Sequence, residues 1–124
     1  TGVQKCALPI FELLLEKPGP ADGEAAPFHY VVETDVDAEN EQELNAWYDT
    51  EHLPGLASVP GCVVAMRWRN LSHSPRYVAA YDLLTPEVTE HPDWLAVRNT
   101  EWSSRVRPHF RRPKRTFFRR AVTK

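Results

Sequence analysis

Two strand-like segments joined by a short turn constrain the fold of this sequence more than any other feature. In Cys62–Arg69, an apolar set of residues alternates with a mixed set, which is the two-residue period of a β-strand. The linker Asn70–Pro75 is short and rich in turn-forming residues, so Arg76–Leu84 is expected to return as the antiparallel partner. The sequence therefore predicts a β-hairpin. Its apolar set is Val64, Met66 and Trp68, and its mixed set is Val63, Ala65, Arg67 and Arg69.

The segments on either side of the hairpin alternate between strand and helix patterns. Phe28–Val36 is rich in aromatic and β-branched residues, which predicts a strand. Asp37–His52 predicts a helix, and helical spacing returns after Pro86, where Pro92 is expected to break the helix into pieces. Lys114–Val122 predicts a last strand. The order β-α-β-β-α-β is the ferredoxin-like arrangement, an α+β fold with an antiparallel sheet.

The first 27 residues lie outside this pattern. Ala7–Glu16 is apolar enough for a strand or a short helix, and Pro9 argues against a central strand without deciding between the two. Lys17–Pro27 carries three Pro and two Gly and predicts a loop. We therefore expect an N-terminal extension and loop over residues 1–27 and one domain over 28–124, since 124 residues fit a single core.

Composition argues against a membrane protein and against a disulfide. No apolar run approaches the ~18 residues of a membrane helix, and the start lacks the basic-then-apolar pattern of a leader. A cytoplasmic protein without a membrane partner is the expectation. Cys6 and Cys62 lie far apart in apolar surroundings, which favours two buried thiols.

Charge is sorted along the chain although the net charge is only −2. Twelve acidic residues and one Lys lie between Glu12 and Glu51, whereas nine Lys or Arg lie between Arg105 and Lys124. A basic tail can bind nucleic acid through phosphates. The apolar residues Phe117 and Phe118 instead make this tail strand-like, so we expect the two segments to be neighbours in the fold or across a dimer interface, and no nucleic-acid partner.

The end of the first predicted helix carries the most chemistry. Asp37 can cap this helix, Trp47 and Tyr48 fall on one of its faces with Leu44, and Pro54 is expected to end it near His52.

This helix end also resembles a known family. The run W47-Y48-D49-T50-E51-H52-L53-P54, followed by V59-P60-G61, resembles the pattern of the dimeric α/β-barrel superfamily, notably its EthD-like proteins. The resemblance covers roughly residues 28–122. It implies a homodimer with a pocket between each sheet and its own helices, and it implies that His52 borders this pocket. The superfamily includes cofactor-independent oxygenases, cyclases, lactone isomerases and haem-binding relatives, so the fold does not select the reaction.

His52 and Tyr48 are the candidate catalytic residues. His52 can exchange a proton near neutral pH, and a helix C-terminus favours its charged form. Tyr48 lies one turn earlier, so a phenol and an imidazole can converge on one ligand, while Trp47 supplies an apolar wall. The alternative is that the Tyr-His pair only bonds backbone groups of the following Pro-Gly turn.

Two further residues are candidates for ligand binding. Arg67, on the mixed face of its strand, can bind a carboxylate or phenolate, although an ion pair with the acidic helix is favoured. Trp102 can line a pocket or belong to the core. No metal is expected, because Asp49 and His52 give only two ligands at helical spacing.

The sequence therefore favours an enzyme that uses cofactor-independent acid-base chemistry on a small aromatic, polyketide-like or lactone metabolite. A non-catalytic, ligand-binding or stress-associated dimer is the alternative, and a haem-binding oxygenase is a third possibility.

Overall fold

The computed structural model describes residues 8–121 as one sheet with helices packed on one of its faces. The strands are β1 Phe11–Pro18, β2 Phe28–Asp35, β3 Cys62–Asn70, β4 Tyr77–Leu83 and β5 Arg111–Arg119. The helices are α1 Ala38–Trp47, a π-helical turn Tyr48–His52, α2 Leu53–Ala57, a 3₁₀ turn Pro86–Glu90, α3 Pro92–Arg98, α4 Glu101–Val106 and a 3₁₀ turn Arg107–His109.

The strands form an antiparallel sheet in the order β1-β3-β4-β2-β5. From β2 onward the element order is β-α-β-β-α-β, so the predicted α+β, ferredoxin-like fold is confirmed. The hairpin is β3 and β4, with Ala65 opposite Tyr81 and Arg67 opposite Ala79.

The ambiguous N-terminal segment is an edge strand of the same sheet. β1 begins after Pro9 and pairs along β3, with Leu13 opposite Trp68. Gly19 follows the strand and comes so close to β3 that a Cβ atom there would lie 2.2 Å from the Cys62 carbonyl oxygen. The division of the chain at residue 27 stays a prediction, but β1 is built into the sheet of the main domain.

β5 begins three residues before the predicted strand start at Lys114, and the predicted end, Val122, lies outside the described residues. A register shift opposite β2 marks a bulge near its start, where Arg112 has a φ of 49°. Pro113 fits in this strand because β5 is at the edge of the sheet and needs hydrogen bonds on one side only.

The helices cover the mixed face of the hairpin. Ala65 and Arg67 are buried beneath them, whereas Val64, Met66 and Trp68 remain partly exposed on the opposite, open face. The core combines this covered face with apolar side chains of the helices, among them Leu44, Trp47, Leu53, Leu56, Trp94 and Val106.

Pro54 does not end the first helix, contrary to the sequence prediction. The backbone stays helical from α1 through the π-helical turn into α2, where Pro54 occupies the first turn. Proline in a helix lacks the N–H donor and clashes with the carbonyl four residues earlier, here that of Thr50. A wider turn relieves this clash, so the helix continues to Ala57.

Acidic and basic segments are neighbours, as expected. Arg111 pairs with Asp37 at 3.1 Å, and Arg105 pairs with Glu43 at 3.1 Å. The absence of a nucleic-acid partner stays a prediction.

Cys62 is a buried free thiol, and Cys6 lies outside the described residues. In the described part of the chain, no helix is long and apolar enough to cross a membrane.

Leu44 tests the core beneath α1. Leu44→Ala should lower the free energy of unfolding by about 2–5 kcal/mol, because Leu44 is fully buried and its removal leaves a cavity. Leu95→Ala is the control, since Leu95 is a helical leucine that is 39% exposed. Urea denaturation of both variants checks this. An equal loss in the free energy of unfolding for Leu44→Ala and Leu95→Ala would contradict the described position of the core.

Candidate functional site

In the π-helical turn, the side chains of Tyr48 and His52 both point into the protein. The Leu53 N–H donates to the carbonyl oxygen of Tyr48, five residues back, which inserts one extra residue into the turn. Both side chains are buried. Their rings meet edge to face, with centroids 5.4 Å apart. The turn therefore brings together the two residues that the sequence predicts as catalytic.

Trp47 holds the imidazole from the other side. Its indole stacks on His52 with centroids 4.0 Å apart and an interplanar angle of 19°. The indole N–H donates to the Ser103 hydroxyl at 3.2 Å, which fixes the ring against α4. Trp47 is thus an anchored wall beside His52.

A small cavity of about 30 Å³ touches Tyr48 and His52. This volume has room for about one water-sized molecule, so a larger ligand requires side chains to move. The cavity lies between the sheet and its helices, and its walls are mainly aromatic. It is lined by Tyr30, Val32, Trp47, Tyr48, His52, Leu56, Tyr81, Trp94, Arg98, Arg107, Phe110 and Arg115.

His52 is held in its neutral form. Burial, followed by the charges of Arg107, Arg98 and Arg115, lowers the pKa of His52 to about 3. The expectation that a helix C-terminus favours its charged form is wrong, because the helix continues past His52 to Ala57. The His52 Nδ1 atom is buried and has no hydrogen-bond partner among residues 8–121. A neutral imidazole can accept a proton but has none to spare as an acid.

Tyr48 is held in its protonated form. Burial raises the pKa of Tyr48 to about 12, although the nearby charge of Arg67 opposes the increase. Burial also raises the pKa of Tyr81, which lines the same cavity. Two phenols therefore remain hydrogen-bond donors beside a neutral imidazole.

Arg67 lies behind Tyr48 and does not line the cavity. Its guanidinium is 4.3 Å from the centroid of the Tyr48 ring and 4.6 Å from that of Tyr77. Asp49 of the acidic helix is its carboxylate neighbour at 3.8 Å, and none of its side-chain nitrogens has a hydrogen-bond partner in the described part of the chain. The geometry places Arg67 as a support for Tyr48, and direct ligand binding by Arg67 stays a prediction.

Trp102 also lies away from the cavity. Its half-buried ring packs against the core, and its Nε1 atom is buried without a partner among the described residues. Its predicted role in ligand binding stays untested. Within residues 8–121, no group of three His, Cys, Asp or Glu side chains is arranged to hold a metal.

Sequence reasoning missed most of the cavity lining. Tyr30 and Arg115 lie on neighbouring strands, where strand alternation directs both toward the helices. Trp94 and Phe110 complete the aromatic wall. The alternation of β2 and β5 could have indicated Tyr30 and Arg115, whereas the convergence of Arg98 and Arg107 depends on how two short helices pack.

The fold is similar to several solved structures. A candidate monooxygenase from Fusobacterium nucleatum superposes with a TM-score of 0.65 at 11% identity, over 88% of this chain and 49% of that chain. A major regulator of staphylococcal pathogenesis superposes with a TM-score of 0.62 at 10% identity, over 94% and 72% of the two chains. An anthrone oxidase-like protein superposes with a TM-score of 0.59 at 17% identity, over 88% and 53%.

The likeness is one of fold. The chain spans about half the length of the candidate monooxygenase and of the anthrone oxidase-like protein. No family model matches the sequence, and neither does any curated protein. The comparisons therefore establish a ferredoxin-like α+β domain of the kind found in monooxygenase-like proteins.

The neutrality of His52 has a measurable effect on stability. The pKa of His52 in the folded protein, about 3, lies below the ordinary value of 6.5 in the unfolded chain. Below pH 6.5 the unfolded chain binds a proton that the folded protein does not, so stability falls as the pH falls toward 3. Between pH 7.5 and pH 5, His52 should remove about 2 kcal/mol from the free energy of unfolding.

Urea denaturation of the unsubstituted protein and of His52→Gln at both pH values isolates this contribution, because the other titrating groups are shared. The NMR shift of the His52 Cε1 proton should also stay constant between pH 5 and pH 8. Parallel pH profiles of stability, or a titration of His52 in that range, would contradict the assignment.

Proposed function

We propose that this protein is a small-molecule oxygenase that acts on an aromatic or polyketide-like metabolite without a cofactor. The observation that carries the proposal is the convergence of a neutral His52 and a protonated Tyr48 on one aromatic-walled cavity. The fold likeness to a candidate monooxygenase and to an anthrone oxidase-like protein favours oxygenation over cyclisation or isomerisation. In EthD-like proteins, which the helix resembles, the equivalent of His52 borders the pocket.

His52 serves as the base in this proposal. An anthrone-type substrate loses a proton from its activated CH₂ group to His52, which leaves an enolate. The enolate reduces dioxygen, and the net reaction converts the CH₂ group and O₂ into a carbonyl group and water. With a pKa of about 3, free His52 is a weak base, so protonating it is unfavourable in the unliganded protein. The negative charge of the enolate stabilises the imidazolium and offsets both its burial and its repulsion by the nearby arginines.

Tyr48 assists by donating a hydrogen bond to the enolate oxygen. Its phenol keeps its proton at neutral pH, because burial raises its pKa to about 12. Arg67 stacks on the Tyr48 ring and so restricts the position of the phenol. A hydrogen bond to a developing negative charge stabilises the transition state more than the neutral substrate.

A non-catalytic ligand-binding protein is the alternative. The cavity of about 30 Å³ is smaller than any aromatic metabolite, so ligand binding and catalysis both require it to open. A haem does not fit this site either, because His52 is stacked on Trp47 and the space beside it holds about one water. The enzyme proposal therefore requires the arginine-lined rim of the cavity to open around the substrate.

Oxygen uptake with dithranol, a neutral anthrone, tests the reaction. His52→Gln should lower kcat by about 10²-fold to 10⁴-fold, which is the range of a lost general base. Tyr48→Phe should lower kcat by about 10-fold to 100-fold through the lost hydrogen bond. His73→Gln is the control, because His73 lies in the exposed turn between β3 and β4. Unchanged turnover in His52→Gln would refute the base, and no uptake by the unsubstituted protein would favour the non-catalytic alternative.

A homodimer is proposed from the open face of the sheet. This face carries an apolar surface, and Phe11, Leu13 and Phe118 on it are each about half exposed. Trp68 and Val78 line a shallow apolar depression at its centre. In a monomer this apolar surface would be exposed to water, and exposed apolar patches commonly mark interaction sites. A second copy, meeting it face to face as the dimeric α/β-barrel resemblance implies, would bury it.

Val78→Lys tests the dimer, because it places a charge at the centre of the open face, where burial without a partner is costly. Sedimentation equilibrium should then show a monomer, while the unsubstituted protein sediments as a dimer. Leu71→Lys is the control, since Leu71 is an exposed apolar residue in the β3–β4 turn. A monomeric unsubstituted protein would contradict the proposal.

A further inference from the structure

Three arginines from three separate elements meet at one side of the cavity. Arg98 lies at the end of α3, Arg107 in the turn after α4, and Arg115 in β5. Each of them lines the same cavity as His52. We call Arg98, Arg107 and Arg115 the arginine rim.

Most other arginines among residues 8–121 pair with carboxylates, whereas the rim does not; the exceptions are Arg119 and Arg120, which lie away from the cavity at the end of β5 and just after it. No Asp or Glu among residues 8–121 lies within ion-pair distance of Arg98, Arg107 or Arg115. The pairs elsewhere are Arg67 with Asp49, Arg69 with Glu12, Arg76 with Glu41, Arg105 with Glu43, Arg111 with Asp37, and Arg112 with Asp35. The fold thus leaves positive charge without compensation at the cavity.

The rim arginines repel one another and the proton of His52. Burial lowers the pKa of Arg107, and the charges of Arg98 and Arg115 lower it further. The same three charges disfavour the protonated form of His52. A bound negative charge would attract each of these groups and so offset their mutual repulsion.

The walls of the cavity limit the shape of the anion. Tyr30 lies between two other aromatic rings, with ring centroids 6.0 Å from Trp94 and 4.6 Å from Phe117. Phe110 carries the Arg115 guanidinium over its ring at 6.0 Å. A flat aromatic group suits these walls, and guanidinium groups suit a planar carboxylate.

We propose that the arginine rim binds a carboxylate carried by an aromatic substrate, with the aromatic part directed toward Tyr48 and His52. The proposal rests on the proposed function, because it names the substrate class of the same site. The two unpaired elements of the site are then complementary: the more exposed rim holds the permanent anion, and the neutral His52, whose buried Nδ1 has no partner among the described residues, lines the part of the cavity where the substrate reacts.

Binding of 1-hydroxy-2-naphthoate, compared with its neutral methyl ester, tests this. Trp47 and Trp94 line the cavity, so quenching of tryptophan fluorescence reports occupancy. The acid should bind at least about tenfold more tightly than the ester, which is the typical effect of a hydrogen-bonded ion pair. Arg107→Gln and Arg115→Gln should each remove about tenfold of the affinity for the acid and leave that for the ester unchanged.

Arg105→Gln is the matched control, because Arg105 lies two residues before Arg107 and pairs with Glu43 on the surface. Equal affinity for acid and ester, an equal loss in Arg105→Gln and Arg107→Gln, or binding of neither probe would overturn the proposal. Dithranol is neutral, so its turnover reports the proposed oxygenase separately. If the protein oxidises dithranol but binds the acid and the ester with equal affinity, the proposal of an anionic substrate is wrong, whereas the proposed oxygenase activity is supported.

Discussion

One extra residue in a helical turn determines the geometry of this site. Pro54 cannot continue an ordinary α-helix, and the chain accommodates it by widening the preceding turn instead of ending the helix. Tyr48 and His52 lie at the two ends of this wider turn on the same side, and His52 stacks on Trp47. It also carries the chain on to α2, whose Leu53 and Leu56 close the core over the sheet. The candidate pair and the local core therefore both adjoin a single departure from regular helix geometry.

The site is a buried, mainly aromatic environment with a positive border. Burial alone keeps both His52 and Tyr48 uncharged, and the border makes protonation of His52 still less favourable. His52 and Tyr48 therefore stay uncharged in the free protein, and a bound anion would favour protonation of His52. In the proposed reaction, the base strength of His52 is a property of the complex more than of the free protein, because an anion beside the imidazole stabilises the imidazolium.

The sequence predicts the sheet better than it predicts the site. Two-residue alternation in β3 and β4 has one interpretation, so the hairpin and the order of elements could be predicted from it. Tyr48 and His52 could be paired from helical spacing, but the effect of Pro54 could not, because proline can end a helix or distort it depending on what packs around it. Arg98 and Arg107 come from short helical segments whose periodicity is too brief to assign a face. Arg67 illustrates a further limit: its burial between Tyr48 and Tyr77 follows from tertiary packing.

The two edges of the sheet have consequences for how copies of this chain can meet. β5 carries Pro113, a bulge and closely spaced positive charges including Lys114 and Arg115, and all three hinder the addition of another strand. β1 covers the edge of the hairpin and brings Glu12 and Glu16 to the opposite border. These features oppose lateral extension of the sheet into fibres. Its open apolar face can therefore remain exposed for a partner without making the chain prone to edge-to-edge polymerisation.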